Sequence, residues 1–158
     1  NGDPIPNVNG EPWDNLTTGA YSLYENSEDN RLTYGLLYNW YAVNDSRNIC
    51  PIGWHIPTME EWETLANTGL ELKEAGTTHW MDPNNCYPNN SGFKALPGGG
   101  CGFDGSFNAI TEYGYWWTAS EDGTENAWMT IMYYQNTGLS GWVNFDKWIG
   151  ANIRCIKD

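Results

Sequence analysis

The spacing of apolar and polar positions changes along this chain, and each change predicts a different kind of element. Up to about Leu32 no period is sustained, and Asn, Gly, Pro, Asp and Glu dominate. That stretch predicts an extended arm or loops, with one short strand near Tyr21–Tyr24. Leu36, Leu37, Trp40, Tyr41 and Val43 then recur at helical spacing, and Asn44, Asp45 and Ser46 close that segment. A second helix is signed more fully. Thr58 and Glu61 form a capping-box pair with Pro57 just outside, and Glu60 and Glu61 suit the positive end of the helix dipole. Met59, Trp62, Leu65 and Ala66 share one face, and Gly69 supplies the stop.

Leu70 to Asn108 is rich in turn formers, among them Pro83, Asn84, Asn85, Pro88, Asn89, Asn90 and Gly92. The run PGGGCGFDG follows. It lacks the Gly-Lys-Ser/Thr ending and the helix of a phosphate cradle, so close backbone packing or positive-φ turns are the expected use. The last third changes to short aromatic or β-branched runs: Tyr113–Ser120, Ala127–Tyr134, Gly141–Phe145 and Asn152–Ile156. Asp122-Gly123 and Thr137-Gly138 read as hairpin turns. Two helices before a strand-rich half predict an α+β domain over residues 34–158, preceded by an arm over residues 1–33 that contributes a strand at most.

At 158 residues, one domain with a real core is expected. Ten Trp and ten Tyr against four Phe favour side chains with an apolar body and a polar tip, which serve both a hydrogen-bonded core and binding surfaces. The net charge of −13 argues against a nucleic-acid partner, whose phosphates need Lys and Arg. It is compatible with calcium, an ion of carboxylate and carbonyl oxygens, although no cofactor is required. No apolar run approaches the ~18 residues of a membrane span, so membrane insertion is not expected. A start at Asn1 without a leader pattern reads as a mature or trimmed product. Sequons begin at Asn15, Asn44 and Asn89.

Cys50, Cys86, Cys101 and Cys155 allow three pairings, and we favour Cys50–Cys155 with Cys86–Cys101. No CxxC occurs and the two His are far apart, which argues against zinc. Paired cysteines point to a secreted chain rather than to a catalytic thiol. His55 and His79 have no recognisable acid or nucleophile partner in the sequence, and Glu60–Glu61 sits in a helix cap, so no catalytic residue is assigned.

Seven blocks carry a resemblance: YGLLYNWYA (34–42), CPIGWHIP (50–57), EWETL (61–65), LKEAGTTHW (72–80), SGFKALPG (91–98), YGYWWTASE (113–121) and IRCIKD (153–158). In this order they resemble the Fibrobacter succinogenes major paralogous domain family, from Tyr34 to the C-terminus. The resemblance implies a secreted or cell-surface bacterial domain with a C-type-lectin-like fold, related to the formylglycine-generating-enzyme group. That fold would place two helices on a small twisted antiparallel sheet with long loops, stapled by disulfides. Its terminal strands lie close together, which a Cys50–Cys155 bridge fits, whereas Cys86–Cys101 would be a local addition.

The calcium motifs of sugar-binding lectins, Glu-Pro-Asn, Gln-Pro-Asp and Trp-Asn-Asp, are absent, and Trp142-Val143-Asn144 only echoes the last. By resemblance, some relatives diversify the segment matching Met129–Ile149 to change targets. Here it holds Tyr133, Tyr134, Gln135, Asn136, Ser140, Trp142, Asn144, Asp146 and Trp148. Aromatics mixed with short polar residues suit recognition. Tyr133, Gln135, Trp142, Asn144, Asp146 and Trp148 are the candidate ligand-binding residues. Glu121, Asp122, Glu125 and Asn126, within one turn, are the candidate calcium ligands, with Asp82, Asn84 and Asn85 a weaker set. The expected function is non-catalytic binding or adhesion to a glycan or a surface protein. A self-assembling surface or filament subunit is the alternative, and an enzyme of the formylglycine-generating group comes after it.

Overall fold

A computed structural model describes residues 4–85 and 91–158. The order is β1 (Tyr21–Ser22), a 3₁₀ turn (Tyr24–Asn26), α1 (Glu28–Tyr34), β2 (Leu37–Tyr38), α2 (Trp40–Val43), β3 (Trp54–His55), α3 (Met59–Ala66), β4 (Gly98–Cys101), β5 (Phe107–Ile110), β6 (Tyr113–Asp122), β7 (Asn126–Tyr133), β8 (Leu139–Asp146) and β9 (Ile156–Lys157). The main sheet runs β5-β4-β6-β7-β8, and the pairs β1–β2 and β3–β9 form two small ribbons. The fold is α+β, as expected, but the main sheet is mixed rather than antiparallel. β4 runs parallel to β6, with Gly99 opposite Gly114.

The α3 helix follows its sequence signal. Thr58 Oγ1 accepts from Glu61 N at 3.2 Å, and Glu61 Oε2 accepts from Thr58 N at 2.9 Å. It ends at Ala66 with Asn67 as C-cap, so Gly69, with φ +68°, turns the chain after the helix rather than stopping it. The earlier helical pattern yields only one turn. Leu37 and Tyr38 pair instead with Ser22 and Tyr21, and α2 starts after Asn39. Asn39 decides this. Fully buried, it accepts from Ala42 N and Ala20 N and donates to Thr18 O, capping the helix while holding the arm. The α1 helix buries no residue, so it leaves no apolar stripe to read in the sequence.

Two cores sandwich the main sheet. Trp62 of α3 joins Leu72, Trp80, Ala95, Trp116 and Met132 on one face. Trp40 of α2 joins Trp117, Ala127, Met129 and Ala151 on the other. A third cluster, Trp13, Tyr24, Leu37 and Cys101, lies at the β4 side, so the first 33 residues are built into the interior through Trp13, which is 0 % exposed. The polar tips of several tryptophans are used. Trp40, Trp80 and Trp117 Nε1 donate to Thr118 O, Ala95 O and Tyr38 O.

The glycine run is β4, a fully buried strand. A Cβ on Gly98 would collide with Asn152 Oδ1, whose amide nitrogen donates to Tyr34 O and Leu36 O. Gly99 has φ +62°, and a Cβ there would lie 2.7 Å from Ile110 N. Close backbone approach is therefore the use of this run.

Cys50 and Cys155 are bridged across 105 residues, beside the β3–β9 ribbon. The expected Cys86–Cys101 bridge is corrected. Cys101 carries a free, buried thiol, and Cys86 lies outside the described residues. Cys101 ends β4 with its side chain among Trp13, Tyr24 and Leu37, a direction that spacing alone does not reveal.

Candidate functional site

The register of the β7–β8 hairpin sorts the residues expected to bind a ligand. Thr130 lies opposite Trp142, Trp128 opposite Asn144, and Asn126 opposite Asp146. Side chains alternate along a strand, so Trp128, Trp142, Asn144 and Asp146 share one face, with the two tryptophans as diagonal neighbours. Asn144 is exposed, and Trp128, Trp142 and Asp146 are half-buried. Asp122, across β7 from the same edge, accepts from Asn144 Nδ2 at 2.6 Å. Trp142 Nε1 and Thr130 Oγ1 are buried without a hydrogen-bond partner among the described residues.

Tyr133 falls on the opposite face. It packs in an aromatic ladder with Tyr113 and Tyr134, each at 4.5 Å between ring centroids, and Tyr113 stacks on Tyr115 at 5.4 Å. Gln135 sits in the β7–β8 turn, donating to Tyr134 Oη and accepting at its carbonyl from Asn85 Nδ2. Trp148 lies in the turn after β8, half-buried. The structure thus brings together Trp142, Asn144 and Asp146, adds Trp128 and Asp122, and separates Tyr133, Gln135 and Trp148 from them. Trp128 was missed because only the register aligns it with Asn144.

Two buried lysines hold the turns of these hairpins. Lys147, 3 % exposed, donates to Gly123 O at 3.0 Å and Thr124 O at 2.8 Å and pairs with Glu121 Oε1, its ammonium 4.8 Å from the centre of the Trp40 ring. Lys73, 0 % exposed, donates to Tyr133 O, Tyr134 O and Asn136 O at 2.7–2.9 Å and lies 4.4 Å from the Trp80 ring centre. Each ammonium spends its donors on carbonyls that a turn leaves unsatisfied, and each ring adds a cation–π contact.

This arrangement bears on the residues expected to take calcium. Glu121 is engaged by Lys147, Asp122 by Asn144, and Asn126 turns its amide nitrogen to Glu125 O and Asp146 Oδ1. The Lys147 ammonium thus meets the Glu121 carboxylate and two carbonyls of the turn in which these residues lie. Among the described residues no group of three or more His, Cys, Asp and Glu is placed to hold a metal ion. In the weaker set, Asn84 donates to Glu74 O and Gly76 O and Asn85 to Gln135 O, so both amides serve loop carbonyls.

His55, at the β3–β9 ribbon, bridges Asp158 Oδ1 at 2.6 Å and Glu61 at 3.0 Å. The two carboxylates, Asp158 foremost, raise its pKa and favour the imidazolium. His79 Nδ1 meets Glu74 Oε2 at 2.7 Å. Both histidines therefore tie segments together, with partners distant or inconspicuous in sequence. Burial pushes the Cys101 thiol up to about 12, which keeps it protonated and unreactive at neutral pH.

A model of the Fibrobacter succinogenes major domain matches residues 1–157. The chain belongs to this family. No curated protein and no solved structure matches it. The family match includes the N-terminal residues, in keeping with the buried Trp13. In this Fibrobacter succinogenes major domain the recognised blocks are structural joints. CPIGWHIP carries one half of the disulfide, β3 and the approach to α3; LKEAGTTHW supplies Lys73, Glu74, His79 and Trp80; and IRCIKD closes the ribbon through Cys155 and Asp158. No described helix is long and apolar enough to cross a membrane.

Proposed function

We propose that this chain is a non-catalytic extracellular binding and adhesion domain of C-type-lectin-like fold that recognises a glycan through the Trp128–Trp142 face of its β7–β8 hairpin. The observation that carries this reading is the joint placement of Trp128 and Trp142 beside the Asn144–Asp122 pair on the edge hairpin of the sheet. Indole faces suit the C–H surface of a sugar ring, and adjacent amide and carboxylate groups suit its hydroxyls. The lysine-held turns support it, because a rigid site loses less entropy on binding. A Cys50–Cys155 disulfide favours an oxidising location outside the cytosol. With Lys147 among the oxygens of the β6–β7 turn, the proposed recognition is independent of calcium.

The test is a glycan array probed with the oxidised domain, in calcium and in chelator. Expected are hits of equal strength in both conditions, at least tenfold weaker for Trp142→Ala and for Trp128→Ala. Hits that persist undiminished in both variants would overturn the assignment of this face. An array silent in both conditions would overturn glycan recognition and leave a surface protein as the target of the same face.

A further inference from the structure

The chain has seven Lys and Arg residues, and the fold distributes them unevenly. Arg31 pairs with Glu28, Arg47 with Asp45, and Lys73 and Lys147 are buried in the turns. Lys94, Arg154 and Lys157 remain, all exposed and none of them in an ion pair with an acid among the described residues. Two of them, Arg154 and Lys157, line one groove, and the Lys94 backbone lies beside Arg154. Arg154 donates to Phe93 O and Lys94 O, its guanidinium lies 4.9 Å from the Phe93 ring centre, and Lys157 pairs with Trp54 in the β3–β9 ribbon. In a molecule of net charge −13, two bases without an acidic partner offer an anion a local attraction.

The same place holds a groove of about 270 Å³ between α3 and the C-terminal segment, walled by Trp54, Pro57, Trp62, Leu65, Phe93 and Ile156, with Arg154 and Lys157 on its lining. Trp54 and Ile156 are among the exposed large apolar side chains, and Trp62, otherwise buried, has an indole N–H without an acceptor among the described residues. Glu61 also lines the groove. Its carboxylate is already engaged by Thr58 N and His55, which also hold its pKa down, so its charge is compensated locally. A dry cavity of roughly 150 Å³ takes a benzene ring, so this volume suits one aromatic group and a short acidic arm.

We propose that this groove is a second binding site, taking a small aryl carboxylic acid whose ring lies among Trp54, Trp62 and Phe93 and whose carboxylate meets Arg154 and Lys157. It combines an apolar wall with two cations, the composition of a site for an amphipathic acid. It shares no residue with the β7–β8 face and does not depend on the glycan reading.

The experiment titrates indole-3-acetate, phenylacetate and the neutral indole-3-acetamide into the ¹⁵N-labelled domain, following backbone and indole N–H signals. Expected are saturable shifts at the Trp62 and Trp54 indoles and at Arg154–Lys157, with an acid at least tenfold tighter than the amide and weakened by added salt. Arg154→Met should abolish the preference for acid over amide. Lys157→Gln, an exposed substitution that the fold tolerates, should reduce it at least threefold, and Trp142→Ala should leave it unchanged. Shifts absent from these residues at millimolar acid, equal affinity for acid and amide, or a preference undiminished in Lys157→Gln would each overturn the proposal.

Discussion

Lys147 sits where an ammonium ion does the work often given to a bound cation. Its three donors meet Glu121 and the carbonyls of Gly123 and Thr124, and Trp40 covers its remaining side. Lys147→Met would keep the length and apolar stem but leave two turn carbonyls without their donor. The loss expected is about 1–2 kcal/mol, because two hydrogen bonds from a charged donor are lost while the exposed Gly123 and Thr124 carbonyls can turn to water. Urea unfolding should show a lower midpoint at an unchanged slope, and a midpoint equal to that of the parent would remove the structural role assigned here. At this scale the sequence was silent on Lys147. Nothing local says which carbonyls it reaches, because they lie 23 and 24 residues away.

Among the elements, the β3–β9 ribbon and α3 share one titrating joint. His55 has its pKa raised by Asp158 and Glu61, so its contribution is fully present below its unfolded value, about 6.5, and is lost as pH rises through the folded value. Glu61 has its pKa lowered, first by Thr58 N, so its contribution is present above its unfolded value and fades as pH falls through the lowered one. Stability of this joint should therefore peak between the two. Urea midpoints should decline as pH climbs above about 6.5, and His55→Gln should flatten that alkaline arm while keeping the acid arm. A parent protein whose midpoint holds steady across the alkaline arm would contradict this account of His55. The α3 helix was readable because its cap and apolar face are local signals. The α2 segment was misjudged because Leu36, Leu37 and Trp40 have helical spacing, yet Leu37 and Tyr38 gain more by pairing with β1. Local period cannot register a partner strand sixteen residues upstream.

For the whole molecule, the Cys50–Cys155 bridge closes a loop of 105 residues, about two thirds of the chain. In the chain-entropy picture a loop of that size is worth roughly 4–5 kcal/mol. Replacing both cysteines by serine should lower the calorimetric Tm by roughly 10–20 °C for a domain of this size. A shift under about 3 °C would mean that the bridge hardly restricts the unfolded chain. The same closure brings Arg154 and Lys157 to Trp62 and Phe93, so both the stability of the domain and the basic groove depend on how its end is held.

The sequence by itself determined the α+β class, the capped α3 helix, the β6, β7 and β8 runs, and the family, because each rests on neighbouring residues or on ordered blocks. The favoured Cys50–Cys155 pairing is also realised. Only the tertiary structure decided that Gly98–Cys101 is a central buried strand, since glycines have no side chains to give it a period. Only the register of β7 and β8 sorted Trp142, Asn144 and Asp146 from Tyr133, because a shift of one position reverses a strand's faces. And only long-range packing placed Lys147 on the turn expected to hold calcium, and brought Arg154 and Lys157 to one groove. Charge and hydrogen bonding act through space, and the chain order of these residues carries little trace of it.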